Sequence, residues 1–346
     1  MDAQLLNNQA NPPSRFTVLQ GGLIFAAAGS VLLISMFLAV LHGAKDLTVH
    51  TVMEAIIAYD PEITAHQIIH ELRLPRVIGA ALIGAAFAVA GALMQGITRN
   101  PLADSGILGI NAGATFVVAL SFAFFPNLPY YSLILLSFTG AVMSTLLIFA
   151  LGSSTPGGLT PVRLTISGAV VAALLSSLSS GIAIYYELSQ DLAFWYAGGV
   201  AGIKWLHLRF LLPILLLAII WAACLGRSVS LLSLGEDVAA NLGMNTKRIQ
   251  ITGMAVAVIL AGVSVSAVGA VGFIGLVIPH IARKLVGVDY RFIIPLSALL
   301  GAILLVLADL GARTVNPPKE LAIGVMVALV GVPFFLYLAR KERRNL

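Results

Sequence analysis

Apolar residues run along this chain in blocks of about twenty, separated by short clusters of Pro, Gly, Asn and charged residues. Ten blocks are legible, near residues 17–42, 72–97, 107–125, 129–151, 163–187, 205–225, 249–270, 272–287, 292–313 and 320–339. A helix of about twenty residues crosses a hydrocarbon core of roughly 30 Å, whereas the alternating strands of a membrane barrel would leave no continuous apolar run. The pattern predicts an all-α, polytopic membrane protein of about ten transmembrane helices. The third and eighth blocks are short, and the Gly-rich stretch 262–276 is expected to hold either a break or a loop. The first block is too long and too deep for a cleaved signal peptide, so it reads as a retained helix.

Composition agrees: of 346 residues, 59% are hydrophobic and 10% charged, a balance that excludes a soluble domain. The net charge of +5 matters less than its distribution. With the N-terminus placed inside, the outer segments hold Lys45, Arg73, Arg76, Lys204, Arg209, Arg313 and Lys319. The other 13 of the 20 basic residues fall inside. The positive-inside rule therefore predicts a cytoplasmic-membrane protein with both termini cytoplasmic. Arg73 and Arg76, in "ELRLPRV", run against that bias and invite a functional reason.

Three polar segments interrupt the blocks. Residues 43–71 form an outer loop whose "TVHTVMEAIIAY" predicts a short surface helix with Val52, Ile56 and Ile57 on its apolar face, ended by Asp60-Pro61. The outer stretch around Trp195, Tyr196 and Trp205 suits an interfacial aromatic belt. The inner connection 226–250 reads as two short helices, about 230–241 and 246–250, broken at Gly243 and with Asn245 or Thr246 as cap. Small residues crowd the second block and the region of the seventh and eighth, which permits close helix contact.

The chemistry of an energy-coupled enzyme is missing. The sequence has no GxxxxGK[ST] loop and no Gly-Lys pair, which excludes ATP hydrolysis by that route. An ion-coupled transporter would carry intramembrane carboxylates or lysines, and the blocks offer almost none. Asp309 lies near the outer end of the ninth with Arg313 four residues on, the spacing of a helical ion pair. His66 and His70 in "HQIIH" share that spacing. Gln67 stands where a zinc protease has its glutamate, so the pair reads as a surface-helix face, with a metal site as the alternative. "RNPLADSGILGINAGA" turns at Asn100-Pro101 and offers Asp104 or Ser105 as cap for the third helix. Cys224 is the single cysteine and forms no internal disulfide.

The strings "ELRLPRVIGAALIGAAFAVAGALMQGITRNPLADSGILGINAGA", "LSLGEDVAANLG", "GAVGFIGLVIPHIARKL" and "LADLGAR" together resemble the FecCD family of ABC importer permeases, in order and over nearly the whole chain. The resemblance implies the type II ABC importer permease fold over residues 17–346, with 1–16 as a cytoplasmic tail and 226–250 as a coupling loop. It implies a second permease, as a homodimer or a paralogous heterodimer. It also implies two ATP-binding subunits and an extracytoplasmic substrate-binding protein. The expected substrate is a ferric siderophore, with haem or cobalamin as alternatives and an ion-coupled transporter as the rival of another class. No cofactor, metal, catalytic residue or nucleic-acid partner is expected; membrane lipid is. By the same resemblance Arg73, Arg76 and Arg313 match positions that bind carboxylates of the binding protein. Gly235, Glu236, Ala239, Ala240, Leu242 and Gly243 match the ATPase contact. Pro161 and Val162, in "LTPVRL", fall in the cytoplasmic gate region, where the B12 permease has small hydroxyl residues instead.

Overall fold

The computed structural model describes residues 18–43, 47–154, 161–317 and 319–342, and every regular element among them is helical. The expected N-terminal tail lies outside the described residues. In chain order the helices are α1 (Val18–Leu41), α2 (Val49–Ile57), α3 (Thr64–Gln67), α4 (Leu74–Thr98), α5 (Ile110–Phe124), α6 (Tyr130–Ser153), α7 (Pro161–Tyr185), α8 (Ser189–Ala197), α9 (Trp205–Ser233), α10 (Glu236–Asn241), α11 (Thr246–Val268), α12 (Ile274–Val286), α13 (Tyr290–Thr314) and α14 (Ile323–Glu342). Ten of them, namely α1, α4 to α7, α9 and α11 to α14, coincide with the ten apolar blocks.

Seven continuous helices are long and apolar enough to cross a membrane, α3 and α4 counting as one. The two blocks expected to be short are short: α5 has 15 residues and α12 has 13. At 1.5 Å per residue α12 extends only about 20 Å, less than a hydrocarbon core. Each is preceded by irregular backbone that adds length. A 3₁₀ turn, Ser105–Leu108, capped by the Asp104 carboxylate, leads through left-handed Gly109 into α5. Asp104 thus caps that turn and not α5 itself. Gly269 and Phe273, both with positive φ, bracket the break before α12.

α3 and α4 are joined by a π-helical turn, Ile68–Arg73, into one helix, Thr64–Thr98. Proline explains the turn. Pro75 has no N–H for the Glu71 carbonyl, and the Leu74 N–H bonds Ile69, five residues back instead of four. His70 is left with neither an α-type nor a π-type donor, and the Trp205 indole N–H fills the vacancy at 2.7 Å, pinning the start of α9 to the turn. Pro75 therefore sits within a continuous helix and does not mark its entry.

Two other expectations are corrected. The buried face of α2 is Val52 and Ala55, three apart, while Ile56 and Ile57 are exposed. In the inner connection α9 runs on to Ser233 and a first break falls at Gly235, whose φ of +137° is open to glycine alone. The expected break at Gly243 is present (φ +80°). Asn245 then caps α11 by accepting the Arg248 N–H, so the expected helix 246–250 is the first turn of a long one.

α4 occupies the centre of the bundle and is buried along nearly its whole length. It is held there by backbone contact. A Cβ added to Gly84 would collide with the Gly301 carbonyl of α13, and one added to Gly301 with Gly84 in return. Gly91 meets Gly275 of α12 in the same way. α5 and α6 repeat the device with Gly113 and Gly140. These contacts realise the close approach that the small residues permit.

Adding one methyl at Gly91 must force two backbones apart, an overpacking cost of about 1–3 kcal/mol. Gly91→Ala is expected to lower the thermal midpoint of the purified protein, followed by tryptophan fluorescence in detergent. Gly29→Ala, at a position with open space around it, is expected to leave the midpoint in place. Equal midpoints for the two variants would refute the close approach of α4 and α12.

Candidate functional site

Three arginines converge at the predicted outer end of the bundle, and helix chemistry explains where they go. The last carbonyls of α1 have no intrahelical donors. Arg73 donates to the carbonyls of Val40 and Leu41 at 2.6 and 2.8 Å, and Arg313 to those of Ala39 and His42 at 3.1 and 3.4 Å. Two guanidinium groups thus cap one helix C-terminus, where cations are favoured by the helix dipole.

Asp309 is the counter-charge. It is fully buried and receives Arg76 through Nε at 3.0 Å and Nη2 at 2.8 Å, and Arg313 through Nη2 at 3.0 Å. The Asp309–Arg313 spacing expected to pair does pair. Arg76 also reaches Glu320, with both carboxylate oxygens at 2.9 Å. Glu320 lies in the connection before α14 with its side chain 44% exposed. The Arg76 fork holds the Glu320 carboxyl below the ordinary glutamate range. The pair is therefore fully formed above that range and is lost only as pH falls through the depressed value.

The structure brings the three expected arginines together but not as outward-facing groups. Arg73 and Arg313 are 7% and 5% exposed, and the Arg76 side chain is 11% exposed. Each is committed within the chain. The nearby histidines are structural as well. His66 is buried and accepts the Asp60 N–H at Nδ1, and His70 stacks on Tyr59 with ring centroids 4.4 Å apart. No group of three or more His, Cys, Asp or Glu among the described residues could hold a metal ion.

At the opposite end, α10 forms a short bracket between α9 and α11. Glu236 lies in its first turn, 3.9 Å from Arg99 at the end of α4. Ala239 is fully buried against the chain itself, so of the six residues expected at a partner contact it is the one that faces inward. Ala240, Leu242 and Gly243 are exposed, with Glu236 beside them, and Gly235 supplies the break. Leu234 before the Gly235 break, and Val238 and Leu242 after it, are exposed apolar residues of this connection.

Pro161 begins α7 and Val162 follows it, 68% exposed. A further polar cluster forms around Pro279 of α12. Pro279 lacks the N–H that would bond the Gly275 carbonyl, and the buried Gln95 amide of α4 donates to that carbonyl at 3.0 Å. The other end of the Gln95 amide accepts from Arg283 at 3.0 Å.

Among the described residues the chain is an all-α bundle of ten apolar segments, seven of them long enough to cross a membrane, with polar residues gathered at its two ends. The chain belongs to the FecCD transport family, whose model matches residues 31–341. It is 50% identical over 327 residues to the iron(3+)-hydroxamate import system permease protein FhuB of Bacillus subtilis, covering 94% of this chain and 85% of that one. It is 40% identical over 317 residues to the ferric enterobactin transport system permease protein FepD of Escherichia coli, covering 91% and 94%. A solved metal-chelate type ABC transporter in an inward-facing conformation superposes with a TM-score of 0.82 at 28% identity, covering 92% of this chain and 99% of that one. The protein is accordingly a multi-pass, non-enzymatic permease subunit of the ABC importer class.

Asp309→Ala leaves the buried Arg313 without its carboxylate and Arg76 with Glu320 alone, and removal of one partner of a buried pair typically costs about 3–5 kcal/mol. Glu320→Ala removes a half-exposed partner and is expected to cost under about 1 kcal/mol. Thermal midpoints of the two purified variants check the order, and a larger loss for Glu320→Ala would refute the role given to Asp309.

Proposed function

We propose that this permease passes a ferric siderophore across the cytoplasmic membrane. The observation that carries the reading is its extensive identity with permeases whose names specify ferric hydroxamate and ferric enterobactin transport. The energy comes from two ATP-binding subunits on the cytoplasmic side, since the chain has no phosphate-binding loop of its own. Both termini face the cytoplasm, so the arginine cluster faces out and α10 faces in.

At the outer face an extracytoplasmic binding protein docks at the cluster of Arg73, Arg76 and Arg313. Arg76 makes the contact, because its second partner, Glu320, is exposed and exchangeable. A carboxylate of the docking protein takes the place of Glu320 in the same two-pronged geometry. Arg73 and Arg313 hold the end of α1 beneath it. At the inner face the ATPase grips α10 through the exposed apolar residues Leu234, Val238 and Leu242, with Glu236, Ala240 and Gly243 around them. Ala239 and Gly235 set the shape of the bracket.

The translocation path runs beside α7, against a second permease. α7 carries Thr165, Ser176, Ser177 and Ser180 exposed among apolar residues. A lipid-facing surface gains nothing from exposed hydroxyls, whereas a water-lined path does. Pro161 and Val162 lie at its inner end, where a gate belongs. A homodimer and a pair with a related permease both satisfy this arrangement.

The decisive experiment is uptake of iron-loaded siderophores by vesicles holding the permease and its ATPase subunits, with the binding protein outside and ATP within. ATP-dependent uptake of a ferric siderophore, in preference to haem or cobalamin, is expected. Uptake driven by an ion gradient without the ATPase would overturn the reading.

Two variants test the docking surfaces. Arg76→Glu is expected to abolish stimulation of ATPase activity by the binding protein while basal activity persists; undiminished stimulation would refute the contact. Val238→Asp with Leu242→Asp is expected to reduce co-purification of the ATPase at least tenfold, and normal recovery would refute the apolar contact.

A further inference from the structure

We propose that the pocket at the inner ends of α4, α9, α12 and α13 binds the headgroup of an anionic phospholipid of the cytoplasmic leaflet, with an acyl chain in the apolar groove beside it. The inference rests on the orientation given above. The pocket, of about 810 Å³, is lined by Arg99, Arg227, Arg283 and Arg291, against Asp289 as the one carboxylate. Asp289 is already engaged: it pairs with Arg291 at 2.6 Å and accepts the Ser230 hydroxyl at 2.9 Å. Arg99 has only the distant Glu236 at 3.9 Å.

That leaves two strong donors without an acidic partner. Arg283 is fixed by Gln95 and by the buried Tyr290 hydroxyl, at 3.0 and 3.3 Å, both neutral groups. Arg227 is exposed, and no carboxylate among the described residues pairs with it. The remaining donors point to a doubly bonded anionic oxygen group, for which phosphate is the matching geometry. A guanidinium held in place by a buried amide and a phenol is a prepared site and not a solvated surface charge.

The second observation selects the source of the phosphate. A groove of about 510 Å³ shares Val288 and Asp289 with the pocket and is lined by Gly21, Gly22 and Phe25 of α1 and by Phe292. Val288 is 71% exposed. A charged chamber beside a largely apolar groove, with Val288 and Asp289 lining both, fits an amphiphile. A free phosphate ion would use only the first, and an acidic peptide would gain nothing from a groove running along α1. Basic pockets between transmembrane helices on the cytoplasmic side take anionic headgroups for the same electrostatic reason.

The experiment uses the full-length permease, delipidated in detergent and titrated with phosphatidylglycerol, phosphatidylcholine or inorganic phosphate, with bound lipid counted by native mass spectrometry. Phosphatidylglycerol is expected to be retained in preference to phosphatidylcholine and not to be displaced by millimolar phosphate. Arg227→Gln is expected to lower the retained fraction about 5-fold, the factor for one basic residue near an anionic surface, and Arg283→Gln to lower it further. Arg209→Gln, which removes an exposed charge at the other end of the bundle, is expected to change nothing. Equal retention of the two lipids, or unchanged retention in Arg227→Gln, would overturn the proposal. Displacement by phosphate would assign the pocket to a free anion. Loss of the lipid when the ATPase subunits assemble would assign it to an acidic segment of that partner. Because retention is read without transport, failure here leaves the importer reading standing, and failure of uptake leaves this one standing.

Discussion

The backbone contacts of α4 constrain everything else. Gly84 against Gly301 and Gly91 against Gly275 bring three helices to a separation that only glycine tolerates. In a membrane this closeness is the main source of helix association, because apolar side chains are as well solvated by lipid as by one another. Once α4 is fixed against α12 and α13, the polar residues at its two ends are fixed too. Arg73 and Arg76 are delivered to the end of α1 and to Asp309. Gln95 is delivered to the carbonyl that Pro279 leaves open. One helix, about 37 Å long at 1.5 Å per residue, thus sets the geometry of both polar clusters.

The electrostatics at the outer end follow from unmet hydrogen bonds and not from a surplus of ion pairs. The end of α1 presents carbonyls without intrahelical donors, of which Leu41 also accepts the Leu47 N–H, and burying such groups unsatisfied would cost several kcal/mol in a low-dielectric setting. Arginine is suited to the task because its rigid fork serves two acceptors at once. Asp309 then balances the buried charge. Only Arg76 has a partner, Glu320, that solvent can reach, so the cluster combines a rigid base with one exchangeable bond. That asymmetry is what the proposed docking at Arg76 would use.

Much of this was legible in the chain. The ten apolar blocks gave the ten helices, and the shortness of the third and eighth was visible because Gly and Pro bracket them. The pairing of Asp309 with Arg313 could be read because it is local. The burial of Arg73 and Arg76 could not: their partners lie on α1, on α13 and in the connection before α14, up to 244 residues away. The outward expectation for these arginines came from the charge distribution and the family resemblance, neither of which shows the carbonyls and carboxylates that bury them. Pro75 stands at the head of an apolar block, where a proline ordinarily starts a helix, and here the π-helical turn carries the helix through it. Of the apolar face expected on α2, Val52 is buried while Ile56 and Ile57 are exposed, and Ala55, three residues from Val52, is buried beside it.

The same packing decides where movement is cheap. Separating α4 from α12 or α13 would open backbone contacts that no side chain could refill, since glycine has none to offer. α7 stands in contrast. It packs mainly on α5 and α6 and leaves Val162, Ile166, Val170 and Leu174 exposed along one side, with hydroxyls interspersed. A Cβ at Gly168 would collide with the Ile107 carbonyl of the 3₁₀ segment before α5, and Leu164, Val171 and Ser179 are buried on the same side. One face of α7 is therefore packed and the other is open. The packed core of α4, α12 and α13 and the half-open α7 thus differ in how much backbone contact a displacement would break.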